Sequence, residues 1–206
     1  MFSLATIAFL TLLSTSGHAS MCPDTNGMSD EVRQTFVNKH NAYRTLVAKG
    51  EAKNAKEIGG YAPKAARMLK VCVFAHNSYS DRNNWGQNLY MTSILKQNKT
   101  VAAAESVDLW FDELQQNGVP YDNVMTMAVF NRGVGHYTQV VWQWSNKIGC
   151  AVEWCSDMTF VACEYDSAGN YLGMPIYEVG NPCTNNEDCK CTNCVCSRDE
   201  ALCIAP

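Results

Sequence analysis

Residues 135–142, Gly-His-Tyr-Thr-Gln-Val-Val-Trp, place a histidine directly after a glycine and before a run of alternating side chains. From Thr138 the alternation predicts a strand that leaves a helix or turn, with Thr138, Val140 and Trp142 on one face. Gly135 allows the backbone to approach closely there. A lone histidine beside a strand is usually a packed core residue, but this arrangement predicts that His136 stands at the mouth of a site.

The octapeptide, continued by Gln-Trp-Ser at 143–145, resembles a signature of the CAP superfamily: the cysteine-rich secretory, antigen 5 and pathogenesis-related proteins, which share the SCP domain. Residues 160–171, Phe-Val-Ala-Cys-Glu-Tyr-Asp-Ser-Ala-Gly-Asn-Tyr, resemble a second signature, from which Glu164 and Ser167 depart. With His40-Asn41 and Arg44, the resemblance covers about residues 29–180. It is strongest to the activation-associated and venom-allergen-like proteins secreted by nematodes.

The N-terminal residues 1–20 are typical of a signal peptide, because an uncharged apolar run is followed by small residues at Gly17 and Ala19. No later segment approaches the roughly 20 apolar residues of a membrane span. We therefore expect a secreted, extracellular protein with no transmembrane segment. A net charge of -4 and a pI near 5.5 disfavour nucleic acid as a partner.

Three helices are predicted ahead of the histidine segment. Ser29 and Gly50 mark the ends of the first, and His40 falls on its apolar face, as a buried histidine with a hydrogen-bond partner. A second helix is predicted to start near Pro63 and to carry four residues on its buried side: Leu69, Cys72, Val73 and His76. Thr100 is the predicted cap of a third, which ends at Gly118 and in which Glu113 borders the buried stripe.

Residues 148–154 and 158–165 are predicted to be short antiparallel strands, separated by a polar turn. Helices followed by such strands indicate an α+β fold. The family resemblance implies a three-layer α-β-α sandwich around a short antiparallel sheet. The expected organisation is a signal peptide over 1–20, a CAP domain over 29–180 and a cysteine-rich, hinge-like tail over 181–206.

Eleven cysteines in a chain with a leader indicate disulfides. Six of them are in the tail: Cys183, Cys189, Cys191, Cys194, Cys196 and Cys203. Disulfides are favoured there over a zinc knuckle at Cys191-x-x-Cys194, because the tail has no histidine. Five others lie earlier: Cys22, Cys72, Cys150, Cys155 and Cys163. One of these five is left over, and we expect it to be Cys22 or Cys72, because similar proteins carry a longer segment before Cys72, usually with a further cysteine.

In CAP proteins two histidines and two acids converge in a central cleft that can take zinc. The matching positions are His76, Gln87, Glu113 and His136, and the resemblance implies a zinc site weakened by Gln87, a neutral amide where an acid normally stands. The alternative is a hydrated polar cleft without metal. Asn98-Lys99-Thr100 is a glycosylation sequon at Asn98.

The resemblance implies a secreted, non-enzymatic protein that binds host or other extracellular partners in immunomodulation and that carries sterol or lipid in a groove. The alternative is a metal-assisted hydrolase acting through His76, Glu113 and His136. A neutral amide cannot serve as a carboxylate base, and the sequence shows no His-Glu-x-x-His motif and no nucleophile elbow. These observations favour binding over hydrolysis.

Overall fold

A computed structural model describes residues 27–55, 59–68, 73–74 and 85–206, with the backbone alone for residues 73–74. The predicted signal peptide, Cys22, Cys72 and His76 lie outside these residues. Four α-helices and six strands occur in the described part of the chain.

The first helix, α1, spans Asp30–Lys49 and confirms the predicted bounds. Its N-cap Ser29 accepts a hydrogen bond from the Val32 N–H at 3.4 Å, and its C-cap Gly50 has a φ of 73°, a conformation that a side chain disfavours. The helix buries Val32, Phe36 and Val47 in the core.

The next long helix, α2, spans Lys99–Asn117 and ends at Gly118, as predicted. The predicted cap Thr100 is wrong, because the Asn98 side-chain oxygen accepts from the N–H groups of both Thr100 and Val101, at 2.9 and 3.2 Å. Asparagine is at least as good a helix cap as threonine, and its position starts the helix two residues earlier. Five apolar residues of this helix were predicted to form a core stripe. Ala104 is only half-buried, whereas the other four are buried: Val107, Trp110, Phe111 and Leu114.

Two short helices follow, α3 at Met127–Phe130 and α4 at Gly135–Val140. The strand predicted from Thr138 is therefore wrong. Alternation of side chains indicates a strand only when one side of it faces solvent, and here every residue from 137 to 143 is buried. Arg44 of α1 fixes the end of α4 and the residues after it by donating to the carbonyl oxygens of Val140 and Trp142, both at 3.0 Å.

The main sheet contains β1 (Val73–Phe74), β2 (Gly86–Thr92), β3 (Lys147–Trp154) and β4 (Thr159–Asp166), in the order β1-β3-β4-β2. Strands β2, β4 and β3 are antiparallel, which confirms the two predicted strands, and β1 pairs in parallel with β3. One face carries the buried residues Cys150, Val152, Cys163 and Tyr165, and α1, α2 and α4 contact the sheet on this side.

The second predicted helix is wrong where the structure describes it. The backbone around Ala65 is extended: the Ala66 N–H donates to the Glu178 carbonyl at 2.6 Å, and Lys64 accepts from the Gly180 N–H at 2.9 Å. These bonds occupy the backbone groups that a helix would need. Val73 is in β1, and Leu69, Cys72 and His76 lie outside the described residues.

Four disulfides join cysteines of the described residues. Cys150–Cys163 joins β3 to β4, and three bonds close the tail: Cys183–Cys196, Cys189–Cys203 and Cys191–Cys194. The tail adds a hairpin of β5 (Val195–Ser197) and β6 (Leu202–Ile204). The predicted disulfide-rich tail is confirmed. The zinc-knuckle alternative is excluded, because a cysteine in a disulfide has no thiolate to offer a metal.

The α+β class, the short and mostly antiparallel sheet and the disulfide-rich tail are thus as predicted. The described residues supply the sheet and the helical layer on one of its faces. Cys155 is a free cysteine among the described residues, and the two cysteines expected to include the unpaired one, Cys22 and Cys72, lie outside them.

Candidate functional site

His136 is the second residue of α4, and its side chain is 42% exposed. Its ring lies parallel to Trp110 of α2, with 6.1 Å between ring centroids and 17° between ring planes. Trp110 is itself buried and donates its indole N–H to the Leu89 carbonyl at 3.0 Å. One face of the imidazole is therefore directed toward the fixed indole ring, and the rest of the imidazole is open to solvent.

Glu113 of α2 holds the start of α4 with three hydrogen bonds. Its Oε2 accepts from the backbone N–H groups of His136 at 2.9 Å and Tyr137 at 3.0 Å, and its Oε1 lies 2.7 Å from His136 Nδ1. Val134, the N-cap residue of α4, makes no side-chain cap bond, so the glutamate takes over that role from a different helix. The structure thus brings Glu113 and His136 into direct contact.

This contact fixes which imidazole nitrogen is presented. A carboxylate only accepts, so His136 Nδ1 carries the proton that Oε1 receives, and in the neutral ring Nε2 keeps its lone pair. Carboxylate–histidine pairs of this kind orient histidines that bind metals through the other nitrogen. Glu113 consequently acts as a positioning residue, and His136 Nε2 is the atom available to a ligand.

Of the two other predicted site positions, the structure describes Gln87. Gln87 is exposed on the edge strand β2, next to Asn88, and its cross-strand partner is Glu164. Consecutive strand residues point to opposite faces, and Asn88 faces α4, so Gln87 lies on the other face of this edge. His76 lies outside the described residues.

A buried chain of hydrogen bonds, not foreseen from the sequence, supports His136 from below. Asn88 Nδ2 donates to the His136 carbonyl at 3.0 Å and lies 3.2 Å from the Tyr165 hydroxyl. The Tyr165 hydroxyl lies 2.9 Å from His40 Nε2, and His40 Nδ1 lies 2.8 Å from the Phe36 carbonyl. This series of hydrogen bonds therefore connects α1 to α4 through residues of β4 and β2.

Donor and acceptor chemistry sets the direction of each bond. Phe36 offers a carbonyl, so His40 Nδ1 must donate, and the neutral ring then accepts at Nε2 from the Tyr165 hydroxyl. That hydroxyl accepts in turn from Asn88. Burial lowers the pKa of His40 to about 4, and burial raises the pKa of Tyr165 well above its ordinary value. Both groups are therefore neutral at physiological pH, and the predicted buried histidine at position 40 is confirmed.

The second signature closes over α4 from above. Asn170 donates to the Gly135 carbonyl at 3.0 Å and accepts from the Thr138 hydroxyl at 2.6 Å. The Gly169 N–H donates to Gln139 Oε1 at 2.8 Å, and a Cβ on Gly169 would lie 2.9 Å from the Trp142 ring. The two signatures quoted from the sequence thus form one packed unit.

These features define the class of protein: a disulfide-bonded α+β domain whose short helix presents a histidine held by a glutamate from a neighbouring helix. The chain belongs to the cysteine-rich secretory protein (CAP) family, whose model matches residues 37–165.

Similar proteins cover most of this chain. Ancylostoma secreted protein of Ancylostoma caninum is 42% identical over 90% of the chain, which spans only 47% of that protein's length. Scoloptoxin SSD976 of Scolopendra dehaani is 31% identical over 80% of both chains. The structure titled "Crystal structure of NaASP2 with Zn2+" is 43% identical, with a TM-score of 0.76, covering 88% of this chain and 99% of that one.

In the described parts of the chain, no helix is both long and apolar enough to cross a membrane.

Proposed function

We propose that this protein is a secreted, non-enzymatic CAP protein of the nematode activation-associated type, which binds host or other extracellular proteins and modulates their immune function. The observation that carries this proposal is the commitment of Glu113. Its carboxylate already accepts three hydrogen bonds that build the site. It therefore serves the fold, rather than standing ready as a general base beside a substrate.

The surface next to His136 has the character of a binding surface. Leu109 is 45% exposed beside Trp110, Phe130 is 46% exposed with its ring against Gly135, and Met127, at the start of α3, is 54% exposed. We call these three residues the apolar rim. Exposed apolar side chains grouped around a polar centre are typical of protein interaction sites.

A pull-down of host serum and leukocyte surface proteins with the glycosylated, oxidised protein tests this proposal. We expect a triple variant, in which serine replaces Leu109, Met127 and Phe130 together, to capture none of the proteins that the natural chain captures. The matched control replaces Ile94 and Leu95 by serine, since these are 55% and 57% exposed elsewhere on the surface. Equal capture by both variants contradicts a partner site at the apolar rim.

Zinc is proposed as a weak ligand of the same site. The Nε2 atom of a neutral His136 fits zinc, because Glu113 holds the ring through Nδ1. Zinc would supply a Lewis-acid centre, and Gln87, a neutral amide, adds no charge to the set. We expect calorimetry to show weak zinc binding that His136→Ala abolishes. Gln87→Glu then tests whether residue 87 belongs to the site: tighter binding would show that it does, and an unchanged affinity would agree with its position on the other face of β2. Zinc-dependent hydrolysis abolished by His136→Ala would instead support the metal-assisted hydrolase.

For sterol or lipid carriage, we propose the groove along α1. Two cavities of about 640 and 260 Å³ share Tyr43 and Leu46 as wall residues, and Phe111 of α2 lines the smaller one. Tyr43 and Phe111 are stacked, with ring centroids 4.0 Å apart, which gives that cavity an apolar side. Saturable binding of cholesterol or a fluorescent fatty acid, weakened by Leu46→Arg and unaffected by a chelator, is the expected result.

A further inference from the structure

The tail contains one disulfide that differs from the other described disulfides in the length of chain it closes. Cys191–Cys194 joins cysteines three residues apart, whereas the other three bonds join cysteines 13 or 14 residues apart. A disulfide stabilises a fold by closing a loop, and this effect grows with the length of the loop. Cys191–Cys194 therefore contributes least to the stability of the fold, and the fold opposes its opening least.

Solvent exposure also distinguishes this bond. Among the eight bonded cysteines of the described residues, Cys191 is exposed, Cys196 is half-buried and the other six are buried. Cys194, the partner of Cys191, is only 5% exposed. Access decides which sulfur of a disulfide a thiolate attacks. A thiolate in solution therefore reaches Cys191 rather than Cys194.

The turn that carries this bond is fastened on both sides by other bonds. Cys189 and Cys196 lie two residues outside it, and each of them forms a disulfide of its own. The Cys196 N–H also donates to Asn186 Oδ1 at 2.9 Å. Opening the bond within the turn leaves these attachments intact. The two thiols that result stay close together, because the loop between them is short, and this favours closing the bond again.

We propose that Cys191–Cys194 is an exchangeable disulfide that oxidises accessible thiols, with Cys191 as the residue whose sulfur the incoming thiolate attacks. The resulting pair of thiols returns to the disulfide by exchange with a second disulfide, such as oxidised glutathione. This activity is separate from partner binding at the apolar rim and from the site at His136, and it needs neither of them.

The exchange proceeds in two steps. A thiolate attacks the sulfur of Cys191 and forms a mixed disulfide with it, while Cys194 leaves as a thiolate. A second thiolate attacks the outer sulfur of the mixed disulfide, and Cys191 leaves as a thiolate. The two substrate thiols thus lose two electrons and become a disulfide, and the bond in the protein gains those electrons. The two protons of the substrate thiols pass to Cys191 and Cys194.

Incubation of the natural chain with reduced glutathione tests which bond exchanges. Free cysteines are first blocked with one alkylating reagent, and thiols that glutathione then releases are labelled with a second one. Trypsin cleaves after Lys190 and Arg198, so the peptide of residues 191–198 reports on the bond by mass spectrometry. We expect Cys191 and Cys194 to be labelled at least about ten times faster than any cysteine of the other three described bonds. Equal rates, or earlier opening of another of these bonds, overturn the proposal.

Two matched serine variants test which sulfur is attacked. Cys194→Ser leaves the exposed Cys191 as a free thiol, and Cys191→Ser leaves the buried Cys194. With oxidised glutathione, we expect Cys194→Ser to gain one glutathione per chain at least about ten times faster than Cys191→Ser. Equal rates would show that Cys191 is not the preferred sulfur. The experiment on the natural chain keeps the proposal testable if either variant fails to form its other tail disulfides.

A peptide with a single cysteine, used in place of reduced glutathione, identifies the source of the thiol. Formation of the disulfide-linked peptide dimer extends the substrates to thiols on proteins. Reaction with glutathione alone restricts them to small thiols. Reaction with neither overturns the proposal.

Discussion

Replacing His40 by glutamine should flatten the acid side of the stability profile. His40 is fully buried and accepts from Tyr165, so protonating Nε2 would both break that bond and bury a charge beside Arg44. Burial, opposed in part by the hydrogen bond to the Phe36 carbonyl, lowers the pKa from 6.5 to about 4 in the folded protein.

The sign and the size of the effect follow from this pKa. Between pH 6.5 and 4 the unfolded chain binds a proton at His40 and the folded chain does not, so the free energy of unfolding falls as the pH falls. Its contribution is fully present above pH 6.5. At about 1.4 kcal/mol per pKa unit, the loss reaches about 3 kcal/mol near pH 4, a large share of the stability of a typical domain.

Urea denaturation at intervals from pH 4 to 7.5, on the natural chain and on His40→Gln, measures the effect. Carboxylates titrate in both proteins, so the difference between the two curves isolates His40. We expect the natural chain to lose about 3 kcal/mol more than the variant over this range. Parallel curves, or a larger loss in the variant, would show that His40 is not the buried neutral acceptor described here.

Three further predictions concern α4, its contact with β2 and the cap of α2. Glu113→Ala should lower the free energy of unfolding by about 2–4 kcal/mol, because it leaves two N–H groups at the start of α4 without an acceptor. Asp112→Ala, a substitution of the exposed neighbour, should change it by less than about 0.5 kcal/mol, and equal effects of the two variants in thermal unfolding would refute the capping role. Gly86→Ala places a Cβ 1.9 Å from Gln139 Oε1 and should lower the free energy of unfolding by about 1–3 kcal/mol. The double variant with Gln139→Ala should lose less than the sum of the two single variants, because shortening Gln139 removes the clash; a loss equal to that sum would argue against the clash. Asn98→Gln should remove a glycan from the secreted protein, seen as a mass shift that glycosidase treatment of the natural chain reproduces; a mass without this shift would show that the sequon is not used. The same substitution should lower the free energy of unfolding by about 1 kcal/mol, because α2 loses its N-cap.

Features set by neighbours in the sequence were predictable. The ends of α1 are fixed by Ser29 and Gly50, whose cap interactions involve residues within five positions of them. The strands β3 and β4 were recognised from short apolar runs bounded by polar turns. The tail disulfides follow from composition, because a short, polar, cysteine-rich segment has too little apolar surface to fold around a core of its own.

The alternation of side chains gave a wrong prediction, a strand from Thr138, because the residues there are buried on every side. Around Thr138 and Gln139 the polar residues are as buried as the valines, because each finds a specific partner from the second signature. Alternation then no longer reports on a solvent-facing side, and a helical segment looked like a strand.

By itself, the sequence determined the family, the disulfide-rich tail and the choice of His136 as the partly exposed histidine of the site. The tertiary structure alone decided how that histidine is held. Glu113 is 23 residues from His136, Asn88 is 48 residues away, and Tyr165 meets His40 across 125 residues. Contacts at such separations depend on how the sheet registers against the helices, and no local pattern of side chains encodes that register.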